Sequence, residues 1–292
     1  MKYRFIKNHE SQFPIDKMCL VLKISSSGYY KLKNRDISSK LLKQNQLKEK
    51  IKTLYFDFKK RYGSPRITAE LNALGYQVSR ITVAKYMKEL GLKSKLSKKF
   101  KVTTDSKHNY LIVDNLLNRN FMPTESSKVW VSDITYIQTK EGFVYLTTIM
   151  DLYDRKLIGW SLSDNMSADN TSLSAWRMAI KNRRIKKGLL FHSDQGVQYA
   201  ARKFANTLES YKVIRSMSRK GNCWDNAVAE SFFKTLKTEL IYGNKLLTKQ
   251  QLELEVFEYI EIWYNKKRRH STLNYKTIDE FNKLNEILKN VA

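Results

Sequence analysis

Three carboxylates stand where a carboxylate is either costly or useful. Asp133 lies in the middle of the strand-like run WVSDITYI, where a charge is unfavourable unless it is paired or bound to a metal. Asp194 ends the run GLLFHSD and is followed by Gly196, which lets a backbone or ligand approach closely. Glu230 lies in the helical stretch DNAVAESFFKTLKTE, where Asn226, Glu230, Lys234 and Lys237 share one face and Phe232, Leu236 and Leu240 can pack inward. Oxygen ligands of this kind suit Mg²⁺, which keeps positions open for water and phosphate oxygens. Two such ions roughly 3.5–4 Å apart can activate an attacking oxygen and stabilise a leaving one in an in-line displacement. Each acid also has an ordinary reading: a strand-edge charge, a helix cap, and a surface partner for Lys234. Asp151 and Asp225 are competitors of the same type, the first placed to pair with Arg155 and the second to cap its helix. Spacing alone does not separate these five acids.

The elements that must position them begin near residue 128, where apolar periodicity changes from helical to strand-like. VWVSDITYIQ (129–138), FVYLTTIMDLY (143–153) and KLIGWSL (156–162) read as strands joined by turns at Lys140-Glu141-Gly142 and Asp154-Arg155. A helix over 167–182, the strand GLLFHSD (188–194), a helix over 200–212, the strand VIRSM and a helix over 224–241 follow. Three antiparallel strands and then alternating helix and strand predict an α/β sandwich around a mixed sheet. His192, beside Asp194, is read as a packing residue.

Ahead of this region, residues 13–34 form a small helical unit on Ile15, Met18, Cys19 and Leu22. The stretch 44–91 is sharper. Ser64 is expected to cap a helix with Pro65 at its first position and Ile67, Leu71 and Leu74 inward, ended by Gly75. Ser79 caps the next, with Val83, Met87 and Leu90 inward and Gly91 at its stop. Arg80, Thr82, Lys85 and Lys88 are left outside, as a DNA-reading helix-turn-helix requires, although a plain helical hairpin with a solvated basic face has the same pattern. A basic linker carries Lys93, Lys95, Lys98, Lys99 and Lys101. At the other end, Thr248 and Gln251 form a capping box before an apolar face of Leu252, Val256, Tyr259, Ile260 and Trp263, and the run Lys266, Lys267, Arg268, Arg269, His270 follows.

Composition narrows the partner. Fifty-four Lys and Arg against 28 Asp and Glu leave a formal charge of +26, which favours a polyanion, because each cation that meets a phosphate releases counterions. Hydrophobic residues at 42% are enough for cores and exclude wholesale disorder. Cys19 and Cys223 form no metal-spaced pair and imply a reducing compartment, and no apolar run approaches a membrane span or signal peptide.

The segments WVSDITYI, FHSDQGVQY and GNCWDNAVAESFFKTLK, with 35 residues between Asp194 and Glu230, resemble the D,D(35)E insertion-sequence transposases. The similarity is to the second-frame (OrfB) protein of the IS-three family, within the retroviral-integrase-like superfamily, and it runs through almost the whole chain. YGSPRITAELNALGYQVSRITVAKYMKELGL resembles that family's helix-turn-helix, IMDLYDRKLIGW its second and third strands, and YNKKRRHSTLNYKT its YN-x-x-R-x-H signature. The resemblance implies an α/β RNase H-like core, a mixed five-stranded sheet flanked by helices, with an N-terminal all-α helix-turn-helix region. It selects Asp133, Asp194 and Glu230 as catalytic and metal-binding residues, holding two Mg²⁺ ions with Mn²⁺ as a substitute. Lys234 and Lys237 fall four and seven residues after the glutamate, as in retroviral integrases, and with Asn226 they are expected against DNA. Arg268, Arg269 and His270 are expected to clamp phosphates, where the ordinary reading is a solvated helix end.

The implied activity is cleavage and strand transfer of insertion-sequence ends by water or a 3′ hydroxyl, with no covalent protein intermediate. The implied partners are double-stranded DNA (terminal inverted repeats and target), further copies of the chain on DNA, and an upstream-frame fusion partner, in a bacterial cytoplasm without membrane association. Expected divisions are a helical unit at 1–43, the helix-turn-helix at 44–102, the linker at 103–122, the catalytic core at 123–245 and a C-terminal helical extension at 246–292. Thr277-Ile278 departs from the family's Ser/Thr-Pro pair. The alternatives are a catalytically silent DNA-binding regulator and a nuclease on the same fold. A generic RNA-binding protein is the weakest reading, because no aromatic-and-basic RNA motif appears.

Overall fold

The computed structural model describes residues 1–34, 38–95 and 110–291. The expected linker lysines Lys98, Lys99 and Lys101, and the linker's first residues up to 109, lie outside the described residues. Three short helices, α1 (Lys2–His9), α2 (Ile15–Val21) and α3 (Ser26–Lys33), close on a small cluster of Ile6, Met18, Cys19 and Tyr29. The Ser25 hydroxyl caps α3 by accepting from the Gly28 N–H.

The helix-turn-helix is built from α4 (Ser39–Asp57), α5 (Ser64–Ala73) and α6 (Arg80–Glu89). Gly75 and Gly91 end the last two at φ +87° and +66°, a conformation that costs glycine little and other residues more. Ser79 caps α6 through the Thr82 N–H as expected. Ser64 does not cap α5: Gly63 holds that position, and Ser64 is already helical, its carbonyl accepting from the Thr68 hydroxyl. Leu74 is also exposed, since it lies one residue past the last helical turn.

The sheet has five strands, β1 (Val129–Thr139), β2 (Gly142–Asp151), β3 (Leu157–Ser163), β4 (Leu190–Ser193) and β5 (Ile214–Met217), in the order β3-β2-β1-β4-β5. β1, β2 and β3 are antiparallel neighbours, while β4 and β5 run parallel to β1. This is the mixed RNase H-like sheet expected. The helix expected over 167–182 starts only at Ser172 (α7, Ser172–Asn182), and that over 200–212 is divided into α8 (Val197–Ala200) and α9 (Arg202–Ser210). Gly159 of β3 lets α7 come close: a Cβ there would sit 2.2 Å from the Ala175 carbonyl oxygen.

Alternation on the strands sends Trp130, Ile149, Ile158 and Phe191 to one face, where they pack with Trp176, Tyr199 and Phe204 of α7–α9. On the other face Val131, Leu146 and Leu157 meet α10 (Ala227–Leu236) and the π-helical segment Glu258–Lys267 that continues α11 (Lys249–Phe257). That cluster does not stop at the sheet. It runs on through Tyr259, Ile260 and Trp263 to Tyr62, Ile67, Leu71 and Val83, so the helix-turn-helix and the C-terminal extension share one core with the sheet. α12 (Ile278–Val291) completes the chain, and no helix of the described residues is long and apolar enough to cross a membrane.

Candidate active site and nucleic-acid interface

Asp133 sits at the middle of β1 opposite Thr148, with one carboxylate oxygen accepting from the Ile134 N–H at 2.8 Å. Asp194 follows the last residue of β4, and its Oδ1 accepts from the Gly196 N–H at 2.9 Å, where a Cβ on residue 196 would collide with it. Glu230 lies one turn into α10. That helix is tied to β1 by Asn226, whose amide donates to the Ser132 carbonyl at 3.0 Å. Three elements therefore bring the three acids within electrostatic reach. Burial first, then the negative charge of Asp194 and then that of Glu230, raise the Asp133 carboxyl well above its ordinary range. Burial and Asp194 also raise Glu230.

The two competing acids are occupied otherwise. Asp151 is buried at the end of β2 and bonds Arg183 at 2.6 Å, the Ser127 and Tyr153 N–H groups and the Trp130 indole. The expected pairing with Arg155 does not form, because Arg155 turns to the Phe121 carbonyl while Arg183 reaches both Asp151 and Asp154. Asp225 does not cap its helix. It is buried in a guanidinium box with Arg219 at 2.7 Å and Arg119 at 2.9 Å, and the Arg219 hydrogen bonds hold it below the usual carboxylate range against the effect of burial. Cation pairing settles these two acids as structural, whereas repulsion acts on Asp133 and Glu230.

A hard divalent cation fits that arrangement, since three carboxylates offer only oxygen and their mutual repulsion leaves positive charge wanting. Asn226 Oδ1 is a further buried oxygen with no hydrogen-bond partner. Among the described residues no three such side chains are already gathered closely enough to hold an ion as they stand. Lys237 lies beside the cluster, its Nζ 4.9 Å from the Tyr136 ring centroid, and burial lowers its pKa while Asp133 opposes that shift. Lys234 is exposed one turn earlier. Asn226, by contrast, is buried at 4% exposure and is an anchor rather than a surface contact.

The signature near the C-terminus is not a phosphate clamp. Arg268, Arg269 and His270 are all buried. Arg268 pairs with buried Glu239 at 2.9 Å, and Arg269 pairs with Glu70 of α5 and Glu280 of α12. His270 donates to the Tyr264 carbonyl, and Asn265 brackets the outer edge of β3 through both the N–H and the carbonyl of Leu157. The sequence reading expected this run to clamp phosphates, with a solvated helix end as the ordinary alternative, but the chain turns back and meets the carboxylates of Glu239, Glu70 and Glu280, which nothing local announces.

His192 packs as expected, fully buried between the Ser216 and Ser218 hydroxyls, and its pKa falls to about 4 through burial. Burial, then the nearby Arg268 charge, lower His270 to about 3. A histidine with a folded pKa below its unfolded 6.5 leaves stability intact above pH 6.5 and withdraws it as pH falls toward the folded value. Each group should therefore remove about 2 kcal/mol between pH 6.5 and pH 5. Urea midpoints at pH 7.5 and 5.0 test this. The drop should be smaller in His270→Gln than in the parent, and an equal drop would refute the assignment.

On the helix-turn-helix, α6 leaves Arg80, Lys85 and Lys88 exposed and Thr82 partly so, its hydroxyl 3.0 Å from that of Ser79. Glu89 at the end of α6 is paired back to Lys48 of α4 at 2.7 Å. Sequence reasoning missed Arg119, Arg219, Tyr199 and Trp224. Tyr199 shares a 2.7 Å hydrogen bond with the hydroxyl of Ser132, next to Asp133.

Comparison with known proteins accords with this geometry. Residues 123–223 and 211–277 match families described as integrase core domain, and residues 43–100 match an HTH-like domain. The chain is 37% identical over 287 residues to transposase InsF for insertion sequence IS3A of Escherichia coli strain K12, covering 98% of this chain and 99% of that one. It is 39% identical over 256 residues to the insertion element IS600 31 kDa protein of Shigella sonnei, covering 88% and 94%. A chain of a simian T-cell lymphotropic virus intasome is similar over 80% of this chain and 73% of its own, at 15% identity and a TM-score of 0.45, too low to add to the comparison.

Proposed function

Since the chain belongs to the IS3 family of insertion-sequence transposases, we propose that Asp133, Asp194 and Glu230 are its catalytic carboxylates and hold divalent cations, Mg²⁺ or Mn²⁺, while it cleaves and transfers element ends. The observation that carries this reading is the convergence of Asp133 on β1, Asp194 just past β4 and Glu230 on α10, where burial and then like charge raise Asp133 and Glu230, beside two other acids neutralised by arginine. Bound there, a pair of divalent ions would supply charge neutralisation and an activated oxygen nucleophile.

The chain's own residues do the positioning. Asp133 is held in β1 by its pairing with Thr148 of β2, and the Gly196 N–H fixes the Asp194 carboxylate. Lys237 and Lys234 are placed to hold phosphate oxygens, so that the attacked phosphodiester lies over the acids. Water, or a 3′ hydroxyl, then displaces the leaving 3′ oxygen at phosphorus, and the proton of the attacking group passes to solvent. Arg80, Thr82, Lys85 and Lys88 are proposed to face the major groove. That helix shares a core with the sheet, so the two DNA contacts are held in register rather than joined by a loose tether. Bringing two element ends together calls for self-association on DNA.

The test is strand cleavage and joining on a labelled element-end duplex with Mg²⁺, with EDTA, and with Glu230→Gln. Joined products that require the metal and vanish in the variant are expected. Equal products from parent and Glu230→Gln would remove Glu230 from the site. Binding without any product until an upstream-frame partner is added would assign the activity to the fusion.

A further inference from the structure

Four of the five tryptophans are buried: Trp130, Trp160, Trp176 and Trp263 are at most 9% exposed. Trp224 is 68% exposed, on the 3-10 turn Cys223–Asn226 that leads into the helix of Glu230. An indole left in water on a loose loop would mean little, but this turn is anchored on its far side at two successive residues. Asp225 is buried in its bonds to Arg219 and Arg119, and Asn226 donates to the carbonyl of Ser132, the residue before Asp133. The aromatic ring is thus carried on a rigid mount tied directly to the strand of the first acid.

We propose that Trp224 is a stacking platform for an unpaired nucleobase of the DNA end, a contact that rests on reading Asp133, Asp194 and Glu230 as the reaction centre. The surroundings favour a base over a protein partner. Arg219 and Arg119 keep 52% and 44% of their side-chain surface exposed, and Lys220 is exposed beside them, so the ring has a cationic fringe suited to phosphates. Between Ile214 and Leu246 no other large hydrophobic residue is exposed, so the ring stands alone on its own stretch of chain. Base–aromatic stacking tolerates any sequence and contributes about tenfold in affinity per base. Bases within an intact duplex have no free face, so the base taken is one at or beyond the frayed terminus. A preorganised ring gives up little freedom on binding.

The experiment uses an end duplex with 2-aminopurine in a short single-stranded overhang, bound to the full chain, Trp224→Phe and Trp224→Ala, each first shown to melt like the parent. The parent should quench the 2-aminopurine, Trp224→Phe should retain most of the effect, and Trp224→Ala should lose it. Affinity of Trp224→Ala for the overhang duplex should fall about tenfold, while affinity for a blunt duplex stays unchanged. Acrylamide quenching of tryptophan emission, dominated by the one exposed indole, should fall when the overhang duplex binds. Unchanged 2-aminopurine signal and end affinity in Trp224→Ala would overturn the proposal, as would acrylamide protection that follows protein concentration without DNA. Glu230→Gln run in parallel separates the two readings. Joining that survives it would refute the reaction centre, whereas lost joining with no effect of Trp224→Ala would refute the stacking contact alone.

Discussion

Asp133→Asn is expected to abolish strand joining by at least about 10³-fold, the loss of several kcal/mol of charge stabilisation, while raising the melting temperature of the chain. The two effects share one cause. Burial and the charges of Asp194 and Glu230 place the folded pKa of Asp133 above its unfolded value. A carboxyl shifted in that direction costs stability as pH rises through its folded pKa, and a neutral amide of the same shape removes the cost. A relief on the order of 1 kcal/mol corresponds to about 2–4 °C in a chain of this size. Mg²⁺ should raise the melting temperature of the parent and act less on the variant, because it relieves the same repulsion. Strand joining that persists in Asp133→Asn, or a melting temperature that falls, would mean that the residue is structural. Asp151→Asn provides the contrast: it breaks a buried ion pair with Arg183, so it should lower stability.

The largest stability loss should come from Glu239, which no motif reading singled out. Its carboxylate, in the π-helical turn Lys237–Ile241 after α10, is 6% exposed and accepts from Tyr259 at 2.9 Å, Trp263 at 3.0 Å and Arg268 at 2.9 Å. Burial pushes its pKa up, but the Arg268 charge and hydrogen bonds, followed by the Trp263 indole, hold it below the ordinary value. Arg61 stacks over Tyr259 and Trp263, and Lys95 reaches the Glu239 carbonyl, so this carboxylate lies among cations from both ends of the chain. Glu239→Gln leaves Arg268 buried without a counter-charge and should cost about 3–5 kcal/mol, read from urea midpoints. Glu239→Leu combined with Arg268→Met should recover a large part of that loss, since no charge is then stranded. A Glu239→Gln variant within about 1 kcal/mol of the parent would disprove the hub.

Much of the architecture was legible in the residues. The strands β1–β3, the α5–α6 turn with its Ser79 cap, and the Thr248–Gln251 capping box all rest on signals within a few residues. Such features depend on periodicity and on hydrogen bonds made nearby, and a sequence carries both. Apart from shifted caps and helix bounds, the misreadings of charge came where a side chain finds a distant partner. Asp151 was assigned to Arg155, four residues away, but is held by Arg183, 32 residues on. Arg268 and Arg269 read as a basic surface run because Glu239, Glu70 and Glu280 are not their neighbours in the chain.

The acids show the same division. Residue types and positions, read alone, narrowed the candidates to five carboxylates and the chemistry to a hard metal ion acting on phosphate; the choice among the five came from resemblance to relatives. Only the folded chain supplies a physical ground for that choice. It neutralises Asp151 with the distant Arg183 and Asp225 with the distant Arg119 as well as the nearby Arg219, and brings Asp133, Asp194 and Glu230 together with like charges opposed. Charge pairing depends on distance in space, and distance in space is what a linear pattern of residues does not carry.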